Sequence, residues 1–219
     1  MQQATARRAG RKPRVSREQV LDAALELADE GGVAAVTMAN VGTRLGVEAM
    51  SLYRHIGNKE EMLDGLVDRV FAEIEVPADA PDWRAALRRR AVSAHAALGR
   101  HPWAIGLMES RSQPGPATLG HHEAMLAILF AAGFDGLGAT RVYNLLDSYV
   151  YGFALQEATL PFSTTEEMAS VSAQMVAAMT DAYPNLVAVQ RELVRSGFVY
   201  ADEFEAGLDI ILGALSEPG

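Results

Sequence analysis

The residues best placed for chemistry lie between Thr37 and Lys59, a stretch that reads Thr-Met-Ala-Asn-Val-Gly-Thr-Arg-Leu-Gly-Val-Glu-Ala-Met-Ser-Leu-Tyr-Arg-His-Ile-Gly-Asn-Lys. On a helix turning about 100° per residue, Glu48, Ala49 and Ile56 share a side with Leu52. Met50 and Arg54 fall opposite, with Ser51 and Tyr53 flanking them. Leu52 and Ile56 are therefore expected to anchor the helix and leave the other set outward. Arginine, hydroxyl and apolar groups together suit a major groove, where arginine pairs with guanine and apolar atoms meet thymine methyls. An ordinary solvated face would carry Lys and Glu instead. Thr37 and Lys59 each sit where a helix begins, and free amides there favour a phosphate. Such contacts fix register without reading sequence. Lys59 is one of only two lysines in the chain, and a cation at a helix N-terminus opposes the dipole unless another partner compensates.

Helical periodicity runs throughout, with no convincing period-two strand, so the expected class is all-α. Ser16 and Gln19 fit a capping box that opens a first helix with an apolar stripe of Val20, Leu21, Ala24, Leu27 and Ala28. Gly31-Gly32 is expected to stop it. Thr37 caps a second helix over 38–45, closed by Gly46, and a third runs over 48–55. Asn58 caps a fourth, with Glu61 in the reciprocal position. Helix, glycine turn, helix is the helix-turn-helix pattern, and Gly46 tolerates the positive φ that the turn demands. Pro77 to Pro81 is the best linker. The expected organisation is a basic arm over 1–15, a three-helix DNA-binding domain with its connecting helix over 16–76, and a larger helical domain over 82–219. Its helices are predicted at 82–99, 103–110, 116–132, 135–159, 164–182, 185–196 and 201–216.

The 219 residues carry a net charge of −9, but unevenly. Residues 1–17 hold six basic side chains and no acid; residues 1–70 are neutral; the rest carries all the net charge. An acidic body behind a neutral head with a basic arm would orient the molecule toward a polyanion. Within the arm, Arg11, Lys12 and Arg14 resemble a minor-groove hook for A·T-rich DNA; a solubilising tail is the alternative. No apolar run is long enough to span a membrane and no secretory signal follows the basic N-terminus, so a cytoplasmic protein is expected. The chain lacks cysteine, which removes disulfides, thiol catalysis and Cys-bound metals. His121-His122-Glu123 does not fit a metal motif, and His95 and His101 are scattered. No nucleophile motif, phosphate loop or catalytic carboxylate pair stands out, so neither an enzyme nor a cofactor is expected. The competing readings are a helical-bundle enzyme and a ligand-binding or interaction module without DNA binding.

The stretch from Thr37 to Lys59, with Leu45-Gly46-Val47, Leu52-Tyr53-Arg54-His55 and Asn58-Lys59, strongly resembles the DNA-binding signature of the tetracycline-repressor (TetR) family. Ala23 to Leu27 and Gly31-Gly32 match that family's first helix. Gly133-Phe134 and the closing Phe204 to Leu212 resemble the tetracycline-repressor subgroup. The resemblance implies DNA contacts at Thr37, Ser51, Tyr53, His55 and Lys59, with Tyr53 and Lys59 on the backbone and Ala49 and Met50 facing bases. Ala39 departs from relatives that carry arginine near there.

One short recognition helix reads few base pairs, so a homodimer is expected to place two heads about 34–36 Å apart on a pseudo-palindromic operator. Its interface is expected from Leu145, Tyr149 and Phe153 on one helix and Phe204, Leu208, Ile211 and Leu212 on another. The family implies a four-helix bundle there. The remaining helices are expected to enclose a pocket for a small, largely apolar effector, with Trp103, Met108, Met125, Tyr143, Tyr151 and Met175 as walls and His95, Asn144 and Asp147 as polar partners. Ordinary core is the alternative for these residues. The stretch 105–111 lacks the histidine with which the tetracycline repressor holds a drug–magnesium complex, which argues against that ligand.

Overall fold

The computed structural model describes residues 15–162, 164–179 and 182–216. These form helices with no strand among the described residues, in two compact units that divide between Leu66 and Val67. Helix α1 (Arg17–Ala35) opens on the expected box: Ser16 Oγ accepts from Gln19 N at 3.2 Å and Gln19 Oε1 accepts from Ser16 N at 3.0 Å. Val20, Leu21, Ala23, Ala24 and Ala28 are buried along its inner face. Gly31 (φ −142°) and Gly32 (φ 68°, ψ −176°) both leave helical geometry, so the regular helix stops at the glycine pair as expected. The chain bends there, after which one more turn runs to Ala35. The short turn after the glycines closes where Val36 N donates back to Val33 O.

Helix α2 (Met38–Leu45) is capped by Thr37, whose Oγ1 accepts from Asn40 N at 3.1 Å, and closes on Gly46 at φ 67°, ψ 32°. Helix α3 (Ala49–Leu52) is a single turn. The expected run to 55 is instead a tight turn in which His55 N and Ile56 N both donate to Leu52 O. Helix α4 (Lys59–Ala72) begins with Asn58 Oδ1 accepting from Glu61 N at 2.8 Å. The return bond from Glu61 reaches Gly57 N, one residue earlier than a regular box.

In the second unit α5 (Trp83–Arg100) packs on α6 (Pro116–Ala131), α7 (Gly136–Ala158) and α10 (Glu203–Ala214). Ala86, Ala91, Ala94 and Ala97 keep the α5 surface shallow, so larger residues on α7 (Leu146, Val150) and α10 (Phe204, Leu208, Leu212) bury against it. Each fully buried Leu or Val contributes about 1.5–3 kcal/mol. The outer face of α5 ties down α10: Arg84 donates to Leu215 O at 2.7 Å and Arg88 Nε to Asp209 at 2.9 Å. Helices α8 (Thr165–Ala178) and α9 (Pro184–Ser196) pack on one another. The helix expected over 103–110 is instead a 3-10 turn at Pro102–Ala104 followed by mostly i→i+3 bonds to Ser110, with Gly106 in its middle disfavouring a regular helix. No described helix is long and apolar enough to cross a membrane.

Candidate nucleic-acid interface and ligand cleft

The head holds a small exposed surface rigidly. Leu52 and Ile56 are buried, so the short α3 is pinned from beneath. Above them Met50 is 75% exposed, and Tyr53 and Arg54 are exposed beside it. Neither the Tyr53 hydroxyl nor the Arg54 guanidinium has a hydrogen-bond partner among the described residues. Arg44, a second arginine of this region, is occupied by Glu26 at 2.9 Å and by Glu30. Ala49, Ser51 and His55 are half-buried, and Ser51 Oγ donates to Glu48 O at 2.7 Å. Half-buried Lys59 donates to Val33 O at 3.2 Å, which supplies the compensating partner for a cation at a helix N-terminus. Close packing fixes the turn: a Cβ on Gly42 would lie 2.9 Å from Val47 O and 3.2 Å from Ala49 N.

The second unit contains a buried charged cluster. Arg90 is 1% exposed and forms a very short ion pair with Asp147. It also donates to Tyr143 Oη at 3.3 Å and, through Nε, to His121 Nε2 at 3.1 Å. Burial works against a charged guanidinium, but Asp147 more than reverses this and holds Arg90 protonated. Burial, followed by the Arg90 charge, pushes His121 down to about 3. The ring is thus neutral, accepts at Nε2 and carries its proton on Nδ1, which has no partner among the described residues.

A cleft of about 510 Å³ opens between the end of α7, the start of α8 and residues 198–201. Leu160, Phe162, Met168 and Phe198 supply its apolar walls, and Glu157, Glu166 and Tyr200 its polar groups. Glu157 Oε2 lies 2.7 Å from His95 Nε2, and that imidazole stacks on Phe204 with centroids 4.1 Å apart.

Residues 76–217 match the model of the tetracyclin repressor-like C-terminal domain, and residues 20–66 match that of bacterial regulatory proteins of the tetR family. The chain belongs to the TetR family. The HTH-type transcriptional repressor DrrR1 of Streptomyces coeruleorubidus is 36% identical over 66% of this chain, a match that spans 54% of that relative. An HTH-type transcriptional regulator of Saccharopolyspora erythraea is 31% identical over 80% of this chain and 75% of its own length. Among solved structures, the TetR-type regulator SCO7222 of Streptomyces coelicolor superposes with a TM-score of 0.74 at 28% identity, covering 91% of this chain and 96% of that one. Both matches are to parts of bacterial regulatory proteins, so the chain is a regulator of the TetR type.

The residues expected at the interface and in the pocket are buried to different extents in this TetR-family chain. Phe204, Leu208 and Leu212 are buried in the protomer's own core, so they cannot also form the surface of a dimer. Leu145 is exposed, Tyr149, Phe153 and Ile211 are half-buried, and Ile210 stands 73% exposed beside them. Of the expected pocket residues, Met108, Met125, Tyr143 and Asp147 are core, Trp103, Tyr151 and His95 are half-buried, and Asn144 and Met175 are exposed. None of the nine lines the cleft. Arg11, Lys12 and Arg14 lie outside the described residues. Among the described residues no group of three metal-ligating side chains gathers.

The sequence also concealed Arg90. A signal was present, because Arg88, Arg89 and Arg90 follow one another at steps of about 100° and cannot share one face. Arg90 falls three and four residues after buried Leu87 and Ala86, which places it inward.

The neutral His121 makes stability depend on pH. Its folded pKa of about 3 lies below the ordinary 6.5, so the unfolded chain binds the extra proton between those values. The stability it contributes is present above pH 6.5 and is lost as pH falls, at up to about 1.4 kcal/mol per pH unit. His121→Gln keeps an acceptor for Arg90 without titrating. Urea denaturation from neutral pH to about pH 5 is expected to show a shallower acid loss in that variant; coincident slopes would remove His121 as the source.

Proposed function

We propose that this regulator represses transcription from the cytoplasm. It would grip a pseudo-palindromic operator as a homodimer and let go when a small, largely apolar effector enters the second unit. The observation that carries the reading is the pinned head: Met50, Tyr53 and Arg54 exposed above a one-turn helix whose Leu52 and Ile56 are fully buried. Met50 and Arg54 face the bases, while Thr37, Tyr53 and Lys59 hold the backbone, with Ala49, Ser51 and His55 completing the contact surface. Arg11, Lys12 and Arg14 add a minor-groove arm.

The route from effector to head is supported by contacts on α4. Asp68 accepts from Thr118 N at 2.8 Å and from Thr118 Oγ1 at 3.0 Å at the start of α6. The Phe71 ring lies 5.6 Å from His121 and 5.4 Å from His122. A shift of α6 therefore moves α4, whose first turns belong to the head unit. A ligand that prefers one spacing of the two heads then shifts the population toward it.

The test is retardation of a palindrome selected from random DNA, at several salt concentrations. Affinity should fall steeply with salt, since each neutralised phosphate releases counterions. Tyr53→Phe is expected to weaken binding to every sequence. Arg54→Ala and Met50→Ala should alter preference, with about 1–3 kcal/mol of discrimination lost for a bidentate arginine contact. Equal effects on all sequences from all three variants would refute this division of roles. Absence of any salt-sensitive complex would refute the operator reading itself.

A further inference from the structure

We propose that the cleft between α7, α8 and residues 198–201 takes an organic cation, a protonated amine carried on an aromatic or polycyclic body. This deepens the effector reading above and rests on it only for the consequence of binding. The volume of about 510 Å³ suits a drug-sized molecule. Phe162, Phe198 and Tyr200, with Met168, provide a soft aromatic and thioether wall, and among the described residues no Lys, Arg or His lines the cleft. Both formal charges that do line it are carboxylates, Glu157 and Glu166.

Three observations decide the sign of the guest. Glu166 is exposed and makes no ion pair among the described residues, so its charge is uncompensated. Glu157 gives Oε2 to His95 and leaves Oε1 without a hydrogen-bond partner among them. Tyr200 feels this carboxylate: burial first, and then the Glu157 charge, make its phenol harder to ionise. Against them stands the α8 N-terminus, worth roughly half a positive charge. Glu166 and Glu167 in its first turn outweigh it. The wider field agrees, because residues 142–219 hold eleven acidic and only two basic side chains, Arg191 and Arg195. An anion would meet two carboxylates in a partly desolvated site. A neutral guest would gain the walls alone, while a cation gains the aromatic faces as well.

The test uses the full chain and three probes with one ring system and three charges: anthracenemethylammonium, anthracenemethanol and anthracenecarboxylate. Fluorescence titration at neutral pH is expected to rank ammonium above alcohol by about tenfold, with the carboxylate weakest. Glu157→Gln and Glu166→Gln should each reduce the ammonium preference, and the double variant should abolish it, with the alcohol unchanged. Glu123→Gln, a carboxylate on α6 outside the cleft, should change nothing. The proposal is overturned if alcohol or carboxylate binds as tightly as the ammonium, or if none of the three binds. It is equally overturned if the cleft variants leave the preference intact, or if Glu123→Gln matches them. Release of operator is scored separately: an ammonium that fills the cleft without releasing DNA sustains the charge preference and overturns the effector role.

Discussion

Arg90→Leu is expected to destabilise the second unit by about 3–5 kcal/mol, which is the usual consequence of stranding one member of a buried ion pair. Arg90 is 1% exposed and its guanidinium serves three partners at once: Asp147, Tyr143 and His121. Removing it leaves the Asp147 carboxylate in an apolar interior, with the Tyr143 hydroxyl and both imidazole nitrogens short of partners. Burial already raises the pKa of Asp147 despite Arg90 beside it. Without Arg90 it rises further, so the loss is largest at neutral and alkaline pH. It shrinks as pH falls and the carboxyl takes up a proton. The decisive measurement is a double-mutant cycle by urea denaturation. Asp147→Leu alone should also be costly, and the two leucines together should cost less than either single change, because a packed apolar pair restores what one charge alone cannot. Additive single effects would show that the two residues do not act as a unit.

The cluster also marks where sequence reading gave out. Caps and turns were legible because each rests on a local bond: Ser16 with Gln19, Thr37 with Asn40, and Gly46 in its left-handed turn. The anchoring of α3 was legible too, since periodicity alone puts Leu52 and Ile56 on one side. The stop at Gly31-Gly32 was legible as well, because only glycine adopts the backbone that breaks the helix there, whereas the short turn that follows was not. The apolar stripe of α10 misled. Phe204, Leu208 and Leu212 identify a buried face, but periodicity does not say whether a protomer's own core or a second copy covers it. The cleft was missed outright. Its walls come from Glu157, Thr164 and Tyr200, residues from separate elements joined only by tertiary packing.

Gly42→Val is expected to reduce operator affinity by well over tenfold while Gly46→Ala reduces it far less, although only Gly46 has a positive φ. The two glycines serve different needs. At Gly46, φ is 67° and nothing lies within 4 Å of where a methyl would stand, so alanine there meets backbone strain of about 1–2 kcal/mol and no clash. Stability falls, but the relation of α2 to α3 can survive. At Gly42 the φ is ordinary, and the obstacle is backbone: Val47 O at 2.9 Å and Ala49 N at 3.2 Å from the first added carbon. No flexible side chain stands there to swing away. Gly42 O also accepts from Val47 N at 2.9 Å, so pushing the turn outward breaks the bond that closes it. A β-branched side chain then displaces α3, and with it Met50, Tyr53 and Arg54, at an overpacking cost of about 1–3 kcal/mol. Thermal unfolding and fluorescence anisotropy on labelled DNA separate the two outcomes. Comparable losses of stability with very different losses of affinity are expected. A Gly42→Val protein that binds DNA as the parent does would show that close approach of α2 to the turn does not set the recognition surface.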